Sequence, residues 1–411
     1  MREMKDSGIE WIGQIPKDWD VVPHKRVMHK VKKICEQYSG EDIISLTMNG
    51  VIKRDLTAGG KMPTSFDGYQ YVKPNDLLLC LFDIDVTPRC VGVVKDYGVT
   101  SPAYSRFVMH DGYYNAYYDY LLRAIDDDKV FVHLSKNLRS SLTESDFGAI
   151  KTCVPSLAEQ KRIVTFLDAQ CAEIDAVLEK TRASIEEYKK LKQAVITQAV
   201  TKGIRGDRPM KDSGIEWIGD IPAEWNKDKV IRVFSVIGSG TTPKSSDENL
   251  FDGNTPWIQS GDINGENLFV TKNCVSNSAI ESYSALRVYQ APYLVVAMYG
   301  ASVGNLSLSM IDACVNQACC VLKKPTINLK FSFYIFKAVK DYLARKAVGG
   351  GQPNISQETI KQLWLPIPSA DEQIEISNYL DEKCRSVDAL IAKKQQYLTE
   401  IENYKKSLIY E

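Results

Sequence analysis

The residues best suited to chemistry crowd the stretch GSGTTPKS at 238–245, which offers glycines, hydroxyls and a lysine. A phosphate-cradling loop uses such groups, but its GxxxxGK[ST] pattern needs glycine directly before the lysine. Pro243 stands before Lys244 instead, and proline removes a backbone N–H that a cradle would use. GGGQPN at 349–354 has three consecutive glycines but does not lead from a strand into a helix, so it reads as a loop beside a ligand. Acid-x-lysine triplets of the nuclease type occur at Glu159–Gln160–Lys161, Asp127–Asp128–Lys129 and Asp381–Glu382–Lys383, and none follows a Pro-Asp strand. Acids at the start of a helix are expected from its dipole alone. The chain has no Gly-x-Ser-x-Gly elbow and no Asn/Asp-Pro-Pro-aromatic motif to hold an adenine amino group. Its four histidines (His24, His29, His110 and His133) are scattered, which leaves acid–base catalysis without candidates. The residue types point to a binder with no catalytic or metal site.

The totals agree with a globular protein. The 411 residues are 44% hydrophobic and 25% charged, enough for two or three domains. No apolar run approaches the length of a transmembrane helix, and MREMKDSGIEW is too polar for a signal peptide. Ten cysteines without a CxxC pair fit reduced thiols in a cytoplasmic protein. The net charge of −1 by itself argues mildly against nucleic acid, unless positive charge is local or a partner supplies part of the phosphate contact.

The elements that would position a site are written twice. MKDSGIEWIGQIPKDW at 4–19 returns as MKDSGIEWIGDIPAEW at 210–225, and VPSLAEQKRIVTFLD at 154–168 returns as IPSADEQIEISNYLD at 367–381. Each half therefore runs from a Trp/Pro segment through a variable body to a proline-marked long helix. The boundaries read as 1–20 for the first segment, 21–155 for the first body and 156–202 for the first long helix. The linker with the second segment covers 203–226, the second body 227–366 and the second helix 367–411. The helices suggest heptad seams through Ile174, Val177, Thr181, Ser184, Tyr188, Leu191 and Val195, and through Val387, Leu390, Lys394, Tyr397, Ile401, Tyr404 and Leu408. Two such helices in one chain suggest antiparallel pairing with a body at each end. The bodies read as mixed α/β, with strand candidates at 76–85 and 291–302. The expected fold class is α+β: two mixed bodies separated by a two-helix antiparallel coiled coil, with an internal pseudo-two-fold repeat.

A duplicated frame with divergent contents makes a bipartite reader, and duplex DNA is the linear target with a readable code at two fixed places. At this point the residues resemble a family. GSGTTPKS, TPWIQSGDI (255–263), VVAMYGASVGNLSL (295–308), VNQACCVL (315–322), GGGQPNIS (349–356) and LPIPSADEQIEI (365–376), in this order, are similar to the specificity subunits of type I restriction–modification systems. The first body lacks GxTP, PWI-x-x-GD and GGGQ, and looks like a different subclass of recognition domain. The resemblance implies two target recognition domains, each reading half of an asymmetric interrupted site in double-stranded DNA, with the helices setting the gap. It also implies a non-catalytic subunit of a host-defence complex. Two modification subunits carry S-adenosylmethionine and methylate adenine, and restriction subunits use ATP and Mg; no cofactor is implied for this chain. The alternative is a coiled-coil scaffold without DNA readout.

Base readout needs hydrogen-bonding side chains in loops at strand ends. In the second body the candidates are Thr241, Thr242, Lys244, Gln259, Lys272, Tyr299, Ser302 and Gln352, with Asn354 behind them. In the first body they are Lys53, Arg54, Lys61, Arg89, Tyr104, Arg106, Lys136 and Arg139, most of them suited to clamping phosphates. Trp11, Trp19, Trp217 and Trp225 lie in segments too alike to read different sequences. They fit a structural clamp or a docking surface for the modification subunits.

Overall fold

A computed structural model describes residues 2–48, 50–57, 63–87, 89–135, 140–347 and 353–410. They form two compact units, Met1–Thr181 with Gln396–Glu411, and Arg182–Gln395. The units do not follow the expected segment boundaries, because each takes part of both long helices, Leu157–Lys202 and Ala370–Tyr410.

Both units open on the same hairpin. Met4–Asp6 pairs with Gln14–Pro16, and Met210–Asp212 pairs with Asp220–Pro222. The turns are built alike. Asp6 and Asp212 each accept from the glycine N–H two residues on, at 2.9 and 2.8 Å, and those glycines, Gly8 and Gly214, take positive φ of 67° and 65°. A strand then closes each unit onto its own end. Asp20–Pro23 pairs with Lys151–Val154, and Asn226–Lys229 with Trp364–Ile367. This pairing delivers the start of a long helix to the Trp/Pro segment.

A clasp forms at that junction. In the second unit Glu372 accepts from Trp225 Nε1 at 2.9 Å and from Arg208 Nη1 at 2.6 Å, and Arg208 also reaches Glu224 at 3.0 Å. In the first unit Glu159 accepts from Trp19 Nε1 at 3.0 Å and from Arg2, which also binds Asp18. The neighbouring glutamines repeat as well. Gln160 and Gln373 each accept a backbone N–H, from Tyr114 at 2.8 Å and Asn328 at 2.7 Å. Each also donates to the carbonyl of its own helix-start proline, Pro155 or Pro368. Further on, Asp168 and Asp381 accept from Tyr120 and Tyr334 hydroxyls, both at 2.7 Å. The carboxylates of two of the nuclease-like triplets, Glu159 and Asp381, are thus spent on holding the frame.

The bodies differ between the clasps. The first unit has a four-stranded antiparallel sheet in the order Met28–Lys30, Ser105–Met109, Leu77–Leu79, Val91–Val93. The second has a five-stranded sheet in the order Phe234–Gly238, Cys319–Pro325, Tyr293–Ala297, Leu306–Ser309, Asn267–Leu268, beside a three-stranded sheet centred on Thr255–Ile258. Tyr293–Ala297 is buried along its whole length, and strand alternation explains why every position is apolar. Leu294 and Val296 face the cluster that includes the helix Leu329–Lys346, whereas Tyr293, Val295 and Ala297 face the opposite cluster.

Within each unit the long helices run antiparallel. In the second unit Tyr188 lies under Lys394, and Lys192 binds both oxygens of Asp388 at 2.6 Å, so one number rises as the other falls. In the first unit Val164, Leu167 and Cys171 pack with Leu408 and Ile409, while Asp175 binds Lys405 at 2.6 Å. The seam itself is corrected. Val177, Leu191, Leu390, Tyr397 and Tyr404 are exposed. The inward face of the first helix runs through Ile174, Leu178, Thr181, Ile185, Tyr188 and Lys192, and that of the second through Val387, Ile391, Lys394, Leu398, Ile401 and Lys405. The expected seam holds at Ile174, Thr181, Tyr188, Val387, Lys394 and Ile401 and shifts by one residue at the alternate positions, where Lys192 and Lys405 point inward with their ammonium groups on acids across the pair. Aliphatic stems of lysine can cover a seam while the charge stays paired.

The clasp has a pH signature. The Arg2 guanidinium first, and then the Trp19 N–H, hold the Glu159 carboxyl below its usual value of 4.5. The lowered native value contributes stability that is full above the ordinary value of 4.5 and is lost as pH falls from there through the native value. Glu159→Gln is expected to melt below the parent at pH 7, and the gap should close below about pH 4.5. Thermal melts over pH 3–7 check this; a gap of constant size would show that the carboxylate charge does not contribute.

Candidate nucleic-acid interface

In the second unit, loops from five stretches meet at one end of the sheet. Strand pairing places Gly238 opposite Val321 and Ala297 opposite Cys319, which sets the ends of two strands beside the start of a third. Hydrogen bonds then join the loops. Gly240 N–H reaches Asn316 O, Asn316 N–H reaches Ile258 O at 3.0 Å, and Met298 N–H reaches Ala318 O at 2.8 Å. Gly300 N–H reaches Pro353 O at 2.9 Å, and Tyr299 bridges Asn354. Glycine is required at 240, because a Cβ there would lie 1.7 Å from the Val315 carbonyl oxygen.

This edge gathers most of the second-body candidates. Pro243 is buried and anchors the loop, leaving Thr242 and Lys244 exposed and Thr241 half-buried. Thr242 donates its hydroxyl to Gln317 Oε1 at 2.6 Å. Gln259, half-buried, accepts from Asn273 Nδ2 at 2.7 Å. Lys272 is exposed next to Asn273. The Tyr299 ring is 45% exposed, and Asn354 is exposed beside it. Ser302 is turned inward and gives its hydroxyl to Tyr299 O at 3.0 Å. Gln352 lies outside the described residues.

Two side chains were missed by sequence reasoning, Gln317 and Asn273. Gln317 is exposed between buried Asn316 and Ala318. Both amides are oriented by a neighbour, so both present a defined donor–acceptor face. For Gln317 the available signal was its position, a lone polar pair immediately before the fully apolar run Ala318–Leu322.

The first unit gathers its candidates less well. Lys53 ends the hairpin strand Gly50–Lys53 and pairs with Asp42 at 2.7 Å. Arg54 is half-buried at the same hairpin. Arg89 packs against this hairpin, donating to Val91 O at 2.8 Å and to Met48 O; burial lowers its pKa from the ordinary arginine value. Tyr104 is half-buried against the core, which raises its hydroxyl pKa. Lys61, Lys136 and Arg139 lie outside the described residues.

Two assignments are overturned. Arg106 is no phosphate clamp: it is buried and forms an ion pair at 2.6 Å with Asp76, which is also buried, while Nη1 donates to Tyr71 O. Trp225 is no docking surface, since it is 1% exposed with its N–H on Glu372. Trp19 makes the equivalent bond but stays half-buried. Trp217 is half-buried and donates to Trp364 O at 3.2 Å, and Trp11 is half-buried among the hairpin's apolar residues.

Comparison with known proteins agrees with this architecture. The family model for the type I restriction modification DNA specificity domain matches residues 222–403. A Methanocaldococcus jannaschii chain assigned as the specificity subunit of the type I restriction enzyme MjaX is 22% identical, over 97% of this chain and 93% of that one. The MjaVIII specificity subunit of the same archaeon is 24% identical over 64% of this chain and 61% of its own. A solved chain described under complex assembly and conformational transition of the type I R-M system has a TM-score of 0.71 at 16% identity, covering 96% and 97% of the two chains. The HsdS subunit from Thermoanaerobacter tengcongensis has a TM-score of 0.51 at 15% identity, covering 96% of each. The fold is shared with these solved type I R-M chains. Residues 222–403 thus match a type I DNA specificity domain, and over nearly its whole length the chain is similar to type I restriction–modification specificity subunits.

Removing one partner of a buried ion pair leaves the other charge uncompensated, at a cost of about 3–5 kcal/mol. Arg106→Ala is therefore expected to lower stability by about 3 kcal/mol while leaving the DNA affinity of the folded fraction unchanged. Denaturant melts and binding titrations on the same preparation check both parts.

Proposed function

We propose that this chain is the non-catalytic DNA reader of a type I restriction–modification complex. Each body reads one half of an asymmetric, interrupted site. The observation that carries the reading is the convergence of Thr242, Gln259, Asn273, Gln317, Lys272 and Tyr299 on one loop edge of the second unit. Carboxamides and hydroxyls can discriminate base pairs in the major groove, because each pair shows a distinct donor and acceptor pattern there. The lysines beside them suit backbone phosphates. The first body differs in both sequence and strand order, so its half-site has a different base sequence.

In this reading the reaction chemistry belongs to the partners. Two modification subunits bring S-adenosylmethionine and methylate adenine, and restriction subunits bring ATP and Mg. No helix among the described residues is long and apolar enough to cross a membrane. The long helices, continuous over 46 and 41 residues, set the number of unread base pairs.

Deleting the gene in its host is expected to abolish one bipartite adenine-methylation motif, read by methylome sequencing with the partner genes intact. An unchanged methylome would overturn the proposal and favour a scaffold role. One heptad inserted into both helices adds about 10 Å at 1.5 Å per residue, or about three base pairs at 3.4 Å each. The methylated motif should keep both half-sites and gain roughly that gap; altered half-site bases would refute the spacer role.

A further inference from the structure

A groove of about 950 Å³ in the second unit runs between the long helices, the helix Leu329–Lys346 and the loop 264–269. Its lining includes Lys192, Lys330, Lys337, Lys340 and Arg385. Lys192 and Lys330 are spent on Asp388 and Asp381. Lys337, Lys340 and Arg385 have no ion-pair partner among the described residues, and Glu266 is the one unpaired acid in the lining. A chain with net charge −1 has thus collected three uncompensated cations against one acid.

Lys337 is the informative member. It is half-buried, and its ammonium lies 4.5 Å from the Phe333 ring centroid and 6.0 Å from that of Tyr334. Burial, and then the Lys192 ammonium, pull its pKa below the ordinary lysine value. The internal repeat shows what is missing. Tyr120 in the first unit corresponds to Tyr334, since each donates to its helix aspartate. Three residues beyond Tyr120 stands Arg123, over that tyrosine ring at 4.4 Å, and it is neutralised by Asp119 at 2.9 Å. The position matching Asp119 is Phe333. The second unit keeps the cation and drops the acid. A half-buried charge without a partner is costly, and the aromatic faces offset only part of that cost.

The groove also adjoins the reading edge. Asn305 lines it, and its N–H bonds Ser302 O at 2.8 Å. Gly304 packs against the Lys340 backbone, where a Cβ would sit 3.0 Å from the carbonyl oxygen. We propose that this groove seats backbone phosphates of the DNA duplex read by the Tyr299–Ser302 edge, with Lys337 as the central contact and Arg385 and Lys340 flanking it. The proposal rests on the DNA-reading function.

The test is a salt titration of the full chain, assembled with its modification subunits, on a duplex carrying its methylated motif. Each phosphate contact contributes a slope of about 0.9 in log affinity against log salt. Lys337→Gln and Arg385→Gln should each flatten the slope by about that amount, or about a threefold smaller loss between 50 and 200 mM salt. Base preference at every position should stay as in the parent, and Lys337→Arg should restore the slope. Arg385 is on an exposed helix face, so its variant remains informative if Lys337→Gln melts early. Unchanged slopes in both variants with a steep parental slope would overturn the groove but not the function. A shifted preference at one base would also overturn it, making Lys337 a reader. A parental complex without salt-sensitive binding would overturn the function, and the groove with it.

Discussion

A buried carboxylate at the start of each long helix is the constraint on which the rest of the structure depends. Glu372 is held by an indole N–H and a guanidinium that both come from the preceding Trp/Pro segment, and Glu159 is held the same way. Burying this acid without such donors would be prohibitive, so the helix start and the Trp/Pro segment must be present together. The strand pairs Asp20–Pro23 with Lys151–Val154 and Asn226–Lys229 with Trp364–Ile367 bring them together. Everything between the two strands of such a pair is closed off as a body. That body can change without disturbing the frame, provided that it supplies one N–H for the helix glutamine and one tyrosine hydroxyl for the helix aspartate. A frame of this kind permits one body to be exchanged for another.

The sequence disclosed this frame because duplication is visible without any structural knowledge, and the frame is what was duplicated. The roles of its tryptophans were less legible. Their sameness argued against base reading, but burial decides between clamp and docking surface, and burial depends on partners far along the chain. Trp225 and Glu372 are 147 residues apart. Half of the helix seam was misplaced for a similar reason. Heptad reading ranks apolar residues, so it favoured Leu191 and Tyr404 over Lys192 and Lys405. The acids that neutralise those lysines, Asp388 and Asp175, lie on the other helix.

The loop edge of the second body was legible because its loops are punctuated by glycine and proline. Gly240, Pro243 and the run from Gly300 to Gly304 mark strand ends, and strand ends gather at one edge of an antiparallel sheet. Gln317 escaped because nothing local distinguishes a reading glutamine from a surface one; its Thr242 partner lies 75 residues away. Arg106 misled for the opposite reason. An arginine in an otherwise apolar strand can reach a phosphate or neutralise a buried acid, and only the position of Asp76 separates the two.

Net charge proved a poor guide to partners. A balance of −1 suggests indifference to DNA, but it sums charges that are paired inside the fold, as in the clasps, along the helix pair and at Asp76, with charges that are not. What matters for a polyanion is the charge left over and where it lies. In the second unit unpaired cations line a groove beside the edge that carries the amides, and one of them, Lys337, lacks a partner because Phe333 stands where the other repeat has Asp119. The repeat makes this visible: the frame is the same in both units, so a cation that keeps its place while losing its acid stands out against the other copy.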